Sequence, residues 1–269
     1  MLELVSGLVT AGLLAVSAIV GTRLLRLARR DGGGPVAFLG LYFLVYGALA
    51  TGFSIATYVG WSSAALALPD PVARLLNGVF FVTATAGLGC LLVFTQRTFR
   101  PDSRAARAAA WGLGTVMALA TAALAVTEGF EVRVLNGPAY WVHFAARVAI
   151  WLWVAGESLA YWTKQRRRLA IGLADPVVTN RFFLWGVWGL VVALLAFSDP
   201  LARLWYVALA GTTSQWLPEV GRPIIEATVP LACGLNACAL ILMGLTFFPT
   251  RGYRRWLEAR HQSEPLPAD

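Results

Sequence analysis

Three ionisable side chains lie within one strongly apolar segment of the sequence. The segment YWVHFAARVAIWLWVAGESLAYWTKQRRR covers 140–168 and contains His143, Arg147 and Glu157. On a helix that turns about 100° per residue, the three fall within a stripe about 80° wide and therefore share one face. A guanidinium there can bind the negative group of a solute, and a carboxylate there can exchange a proton. The same groups can also simply hold neighbouring helices together.

The depth of these groups in a membrane makes them costly. A charged side chain in the middle of a bilayer costs about 2.5–3.5 kcal/mol on insertion scales, so each should face other helices and have a partner. Arg147 lies about 9 Å along the helix from Trp141, and its side chain leans towards water at the N-terminal end. Glu157 leans towards the bilayer centre instead. We expect Glu157 to be protonated, or paired with Asn236, Tyr161 or an arginine from a neighbouring helix end.

A second polar set lies in the last apolar segment, GRPIIEATVPLACGLNACALILMG. Pro230 follows Glu226 by four residues and cannot donate a hydrogen bond to its carbonyl group. We therefore predict a kink at Pro230, a polar spot that faces the bundle, and an ion pair between Arg147 and Glu226. Asn236 lies deeper in this segment, and Asn77 enters the membrane at the level of Glu226. The predicted ligand-binding residues are Arg147, Glu226, His143, Glu157, Asn236 and Asn77.

The elements that must position these residues are membrane-spanning helices. Of the 269 residues, 58% are hydrophobic and 13% are charged, whereas ordinary soluble domains are about 25% charged. The mean hydropathy is +0.66. The sequence predicts an all-α bundle of seven transmembrane helices over 1–250, and a basic interfacial, then disordered, tail over 251–269. The apolar stretches, each with the roughly 20 residues that a crossing needs, lie near 2–22, 36–59, 71–96, 105–127, 138–163, 176–198 and 223–248.

The positive charges predict the orientation of the chain. Of the 22 lysines and arginines, 17 lie on alternate connections and in the tail. By the positive-inside rule the N-terminus is outside and the C-terminus is cytoplasmic. We therefore expect a multi-pass protein of a bacterial inner membrane. The cytoplasmic arginines are candidate partners for anionic lipid headgroups, and their distribution argues against nucleic acid. These basic stretches are 23–35, 96–108, 163–181 and the tail.

The connection 199–222 is the longest on the outer side, and it is a candidate lid over an outward-facing cavity. Its first part, SDPLARLW at 198–205, predicts a short helix on the outer surface. Trp205, Tyr206 and Trp216 would then lie at the level of the lipid headgroups.

Several chemistries lack the residues that they require. The layout resembles that of the microbial rhodopsins in topology, but the only lysine is Lys164 in a cytoplasmic connection, which excludes a retinal Schiff base in the last span. His143 and His261 are too few for bis-histidine haem or for the zinc sites of seven-helix hydrolases. Cysteines 90, 233 and 238 form no disulfide or zinc pattern. We expect neither a cofactor nor a metal, and the sequence argues against enzyme chemistry.

Three function classes remain. The first is a sensor or receptor-like protein that binds a small, anionic ligand in an outward cavity and signals to a separate partner protein. The alternative is a small-solute or proton-coupled transporter that uses Arg147 and Glu157, and the third is a non-catalytic scaffold subunit. A transporter needs a polar path from both sides, whereas a receptor needs only the outer cavity. Clustering of the polar groups in the outer half favours the receptor.

Overall fold

The computed structural model describes residues 2–62, 69–131, 137–210 and 218–262. Over these ranges the chain is all-α and contains no strand, which confirms the all-α part of the prediction. The helices are α1 (Leu2–Asp31), α2 (Gly34–Tyr42), a π-helical segment (Phe43–Ala50), α3 (Thr51–Ser62), α4 (Asp70–Phe99), α5 (Arg104–Thr127), α6 (Pro138–Ala170), α7 (Pro176–Ala210), α8 (Pro218–Phe247) and α9 (Arg251–Gln262).

The long helices pack into a ring in chain order. The α2 helix, the π-helical segment and α3 form one continuous rod, since Tyr42 and Thr51 at the two junctions keep right-handed helical dihedral angles. This rod packs between α1 and α4, and the ring continues through α5, α6 and α7 to α8, which returns to α1. The α4 helix also contacts α6. The interior of the ring is thus shared by all the elements that carry the predicted site residues.

Six helices of the described part are long and apolar enough to cross a membrane, so the chain is a multi-pass membrane protein. The 33-residue α6 is not one of them. Its ionisable groups and its tryptophan and tyrosine residues lower its hydropathy, although it packs between two helices that qualify. The six spans are Ser6–Asp31, Gly34–Thr57, Asp70–Phe99, Arg104–Thr127, Pro176–Leu209 and Glu226–Phe247.

Local chemistry explains where the helices begin. Proline, whose missing N–H is not needed in a first turn, is the first residue of α6, α7 and α8. Before α7, an oxygen of Asp175 accepts a hydrogen bond from the Val178 N–H at 2.9 Å. Before α5, the Ser103 hydroxyl accepts one from the Ala106 N–H at 3.1 Å. These caps satisfy backbone groups that have no partner within the helix.

The connection after α7 differs from the prediction. The prediction of a separate surface helix at 198–205 is wrong, because α7 continues through Pro200 to Ala210. The hydroxyl of Ser198 donates to the Leu195 carbonyl at 2.7 Å, within the helix two residues before the proline. Tyr206 is buried and Trp205 is exposed. Trp216 and the rest of 211–217 lie outside the described residues, so the lid stays a prediction.

The first part of the tail forms α9, a two-sided helix. Leu257 is buried, whereas Trp256 and the arginines beside it are exposed. The Tyr253 hydroxyl accepts a hydrogen bond of 2.6 Å from the Asn180 amide near the start of α7. This contact holds α9 against the end of the bundle where the basic stretches lie, and we call that end the arginine-rich end.

Candidate ligand-binding site

Arg147 is a half-buried residue of α6 whose Nε atom is fully buried and has no hydrogen-bond acceptor in the described part of the chain. Its guanidinium lies 5.6 Å from the ring centre of Phe144, one turn earlier. Tyr46 and His143 are close enough for its charge to act on them. No ion pair between Arg147 and a carboxylate occurs among the described residues. An isolated charge in the bundle is the feature of the site that most needs a counterpart.

The predicted ion pair between Arg147 and Glu226 is wrong. The side chain of Glu226 is exposed on α8, and so is that of Pro230. Residues four apart lie on the same helix face, so this face of α8 points away from the bundle. The helix assignment runs through Pro230 without a break. The polar spot expected there faces outwards, and it does not face Arg147.

Glu157 is paired with an arginine from a neighbouring helix end, which confirms one of the three expected alternatives. The Nε of Arg100, the residue that ends α4, donates to the two carboxylate oxygens at 2.9 and 3.1 Å. The indole N–H of Trp153 adds a hydrogen bond of 3.3 Å. The Arg100 side chain is 50% exposed, so the pair lies at the arginine-rich end and not in the middle of the bundle. Its geometry is that of a clamp between α4 and α6.

His143 belongs to a hydrogen-bonded chain that joins α4, α5 and α6. The Thr121 hydroxyl donates to the Met117 carbonyl at 2.9 Å, so its hydrogen is used there and Thr85 must donate to Thr121 across 2.7 Å. The Thr85 oxygen is then the acceptor for His143 Nε2 at 3.3 Å, which places a proton on Nε2. His143 is fully buried, with its ring edge-on to that of Phe81. It therefore links helices and supports the face that carries Arg147.

The two asparagines do not join this site. The Asn77 amide donates to the Phe130 carbonyl at 2.8 Å and ties α4 to the connection after α5. Phe130 has a positive φ of 57°, an uncommon conformation for a bulky residue, and this hydrogen bond helps to hold it. Asn236 is half-buried on α8, and it makes no hydrogen bond within the described ranges. No described contact joins Asn77, Asn236 or Glu226 to Arg147.

The sequence interpretation missed a cluster of aromatic residues beside Arg147. Trp151 lies one turn after Arg147, and its ring centre is 5.5 Å from that of Tyr46 and 5.4 Å from that of Trp188. Trp185 stacks on Trp188 at 4.5 Å. Spacing alone could have placed Trp151 next to Arg147, but nothing local in the sequence indicates the partners that come from other helices. The cluster consists of Tyr42, Phe43, Tyr46, Trp151, Trp185 and Trp188.

The cluster is rich in hydrogen-bond donors that lack acceptors. The indole N–H groups of Trp151, Trp185 and Trp188 are buried without a partner at hydrogen-bond distance among the described residues, as is the Nε of Arg147, and the Tyr46 hydroxyl lies close to the Trp151 N–H. Indole and guanidinium groups can only donate, and a buried donor without a partner costs about 1–3 kcal/mol. We call these four residues the donor cluster. The four do not converge on one point, because Gly186 packs against Leu159 and Trp185 therefore lies about 18 Å from the level of Arg147 along α6. The pair that is complementary to a single group that only accepts, such as a carboxylate or a phosphate, is Arg147 with Trp151.

The π-helical segment places Tyr46 at the edge of the donor cluster. Such segments are rare and are often found at functional sites. A Cβ atom added to Gly87 would lie 2.7 Å from the Tyr46 backbone nitrogen, so α4 reaches this segment only because it has glycine there. The letters FLVYGALA contain no proline, and a single glycine such as Gly47 is common in membrane helices, so the sequence predicted an ordinary helix.

Apolar side chains separate the two charges of α6. Ile150, Trp151 and Val154 lie between Arg147 and Glu157 on the inner face, and each is 0% exposed. The larger of the two described cavities, about 700 Å³, lies between α4 and α5 and is lined by none of the predicted site residues. Arg147 does not border that cavity.

Comparison with known proteins assigns no function to this site, so the site is interpreted from the chemistry of its residues. No three metal-binding side chains are grouped within the part of the chain that the structure describes. No protein-family model, curated protein or solved structure matches this chain.

Proposed function

We propose that this chain is a seven-helix membrane sensor or receptor-like protein that binds a small anionic ligand at the donor cluster. The observation that carries the proposal is the charged Arg147, whose buried Nε has no acceptor among the described residues, with the unpartnered indole N–H of Trp151 one helical turn away. A carboxylate or phosphate placed beside Arg147 would pair with the guanidinium, and another of its oxygens would accept from the Trp151 indole N–H. The flat faces of the tryptophan and tyrosine rings would provide the apolar walls of the site.

In this proposal α6 is the seventh span. It packs along α5 and α7, both of which are apolar enough to cross a membrane. Its least apolar part is also its most protected, since His143 is buried and Glu157 is paired. With seven spans and one arginine-rich end, the positive-inside rule gives an outer N-terminus and a cytoplasmic C-terminus. Such a chain in a bacterium would lie in the inner membrane.

The transporter alternative has less support. A proton-coupled mechanism needs a carboxylate that can release its partner, whereas Glu157 accepts three hydrogen bonds. It also needs a polar path, and the side chains of Ile150, Trp151 and Val154 fill the space between the two charges. A scaffold subunit has no use for donors without acceptors. The receptor hypothesis is the one that gives the donor cluster a role. A receptor of this kind would then signal through a separate partner protein.

Native mass spectrometry tests the proposal directly. The wild-type protein is extracted in a mild detergent and released gently, next to an Arg147→Met variant. Met keeps an unbranched stem of similar reach but cannot pair with an anion. We expect a defined small mass on the wild type and its loss from the variant.

Arg203→Met is the matched control, because Arg203 also lies over an aromatic ring, 5.8 Å from the centre of Tyr140, but is not part of the donor cluster. That variant should keep the extra mass. The proposal is contradicted if the same mass remains on Arg147→Met, or if a wild-type protein saturated with carboxylate and phosphate compounds carries none.

A further inference from the structure

The groove between α4 and α5 has an apolar floor and a basic end. It has a volume of about 700 Å³ and lies at the arginine-rich end. Gly89, Leu92 and Gly114 are part of its floor, and Arg97 and Arg107 line the end nearest the connection between the two helices. A Cβ atom added to Gly89 would meet nothing within 4 Å, and one added to Gly114 would meet only Leu92, at 3.8 Å. The floor is therefore open space that larger side chains would occupy.

The two arginines of the groove are not neutralised by the protein. Neither Arg97 nor Arg107 forms an ion pair with a described carboxylate, whereas the nearby Arg100 is engaged by Glu157. Arg97 lies over the ring of Phe38, with 5.0 Å between the guanidinium carbon and the ring centre. This leaves the edge of its guanidinium available to an anion. The rest of the groove carries no charge.

The dimensions of the groove match one half of a bilayer. At about 1.5 Å per residue, Gly89 and Arg97 are separated by about 12 Å along α4, and Ala118 and Arg107 by about 16 Å along α5. One leaflet of the hydrocarbon core is about 15 Å thick. Trp111, on the same stretch of α5, is 71% exposed, as is common for tryptophan near a membrane surface.

We infer that this groove binds one anionic glycerophospholipid, with the phosphate on Arg97 and Arg107 and one acyl chain over Gly89 and Gly114. A water-soluble anion would use the arginines but not the apolar floor. A second copy of the chain, related by a two-fold axis along the membrane normal, would bring the same arginines together at one depth. The lipid is the occupant that matches both ends of the groove. This inference concerns a different surface from the donor cluster and does not depend on it.

Native mass spectrometry with added lipid tests the inference in the full-length protein. Dioleoylphosphatidylglycerol, which is anionic, and dioleoylphosphatidylcholine, which is not, are titrated against the detergent-solubilised protein. Gly114→Leu fills the floor, and Gly112→Leu is its control, because Gly112 is exposed two residues away with nothing within 4 Å. Arg97→Gln with Arg107→Gln removes the charges, and Arg104→Gln is the control one turn away. Inorganic phosphate in millimolar excess is the competitor that represents a free anion.

We expect the wild type to hold one phosphatidylglycerol with a preference of roughly 25-fold over phosphatidylcholine, because each of the two arginines near a membrane surface contributes roughly fivefold. The double glutamine variant should lose this preference, and Gly114→Leu should lose the bound lipid. Both controls should behave as the wild type, and phosphate should not displace the lipid. Equal binding of the two lipids, or unchanged binding by Gly114→Leu, overturns the inference. A dimer that Gly114→Leu converts to a monomer, or displacement by phosphate, overturns it too.

Discussion

Replacing Arg147 by methionine should make the protein without ligand more stable. The guanidinium has no described carboxylate partner and its Nε has no acceptor, so the variant removes a charge that costs about 2.5–3.5 kcal/mol inside a membrane. It also loses the contact with the Phe144 ring at 5.6 Å, which stabilises by about 0.5–2 kcal/mol. Met fills the space of the arginine stem. The free energy of unfolding should therefore rise by roughly 1–2 kcal/mol.

Unfolding in increasing fractions of sodium dodecyl sulfate, followed by tryptophan fluorescence in mixed micelles, measures this change. Arg147→Lys is the control, because it keeps a charge at the same place and should not gain stability. In the presence of the co-purified ligand at 100 times its Kd, the wild type should gain about 2.7 kcal/mol, and the methionine variant should gain nothing.

Two results would refute this reasoning. If Arg147→Met lowers the free energy of unfolding by 1 kcal/mol or more, Arg147 is a structural clamp with a partner that stabilises the fold. If the ligand stabilises both proteins equally, it binds elsewhere. A variant that is more stable and no longer binds the ligand would support the reasoning, because binding sites commonly lower the stability of the protein that carries them.

Three further perturbations concern the surroundings of the site, and each is measured by the same unfolding experiment. Arg100→Ala should lower the free energy of unfolding by about 1–3 kcal/mol, because it leaves Glu157 without its counter-charge. This loss lies between those measured for exposed and for buried ion pairs. Thr85→Val should cost about 1–3 kcal/mol, because the proton on His143 Nε2 loses its acceptor. Gly87→Ala should cost about 1–3 kcal/mol, because the new methyl group would lie 2.7 Å from the backbone of the π-helical segment.

Matched variants separate these causes from general damage. Glu157→Gln combined with Arg100→Ala should recover most of the loss, since no charge is then left alone. Thr85→Ser keeps the hydroxyl and should stay close to the wild type. Gly89→Ala, with nothing within 4 Å of the added atom, should be neutral or slightly stabilising. If Gly89→Ala and Gly87→Ala lose equal stability, the close approach of α4 to the π-helical segment is not the reason.

The sequence was sufficient for the features that depend on local chemistry. The span predicted at 105–127 is α5, Arg104–Thr127, because an apolar run between charged and capping residues determines its own ends. The pairing of Glu157 with an arginine from a helix end was foreseeable because the cost of a buried carboxylate demands a partner. The basic stretches likewise indicated which helix ends lie together, as the contact between Arg100 and Glu157 shows.

Apart from the continuation of α7 through 198–205, the failures concern how one helix is rotated or shifted against another. In a soluble protein a polar face reveals which side of a helix is outside, but in lipid both faces of α8 are apolar, so Glu226 could be assigned to the wrong side. Because the rotation of α4 and α5 is equally hard to predict from an apolar sequence, Thr85 and Thr121 were not predicted as partners of His143. The meeting of Trp151 with Trp188 depends on the register of α6 against α7, and no local pattern encodes it. The π-helical segment changes the register of the rod formed by α2 and α3 against α1 and α4, and no proline in the sequence indicates it.

The tryptophan pair of the donor cluster should give the protein an intrinsic spectroscopic signal. Trp185 and Trp188 lie with ring centres 4.5 Å apart and planes inclined by 17°, and Trp151 meets Trp188 edge-on. Transition dipoles this close couple to each other, so the pair should produce a split circular dichroism band that separated indoles do not. Excitation absorbed by one of these rings passes to its neighbours before emission. A change in the hydrogen bond of any one indole N–H therefore alters the spectrum of all three, and occupancy of the site can be followed without a label.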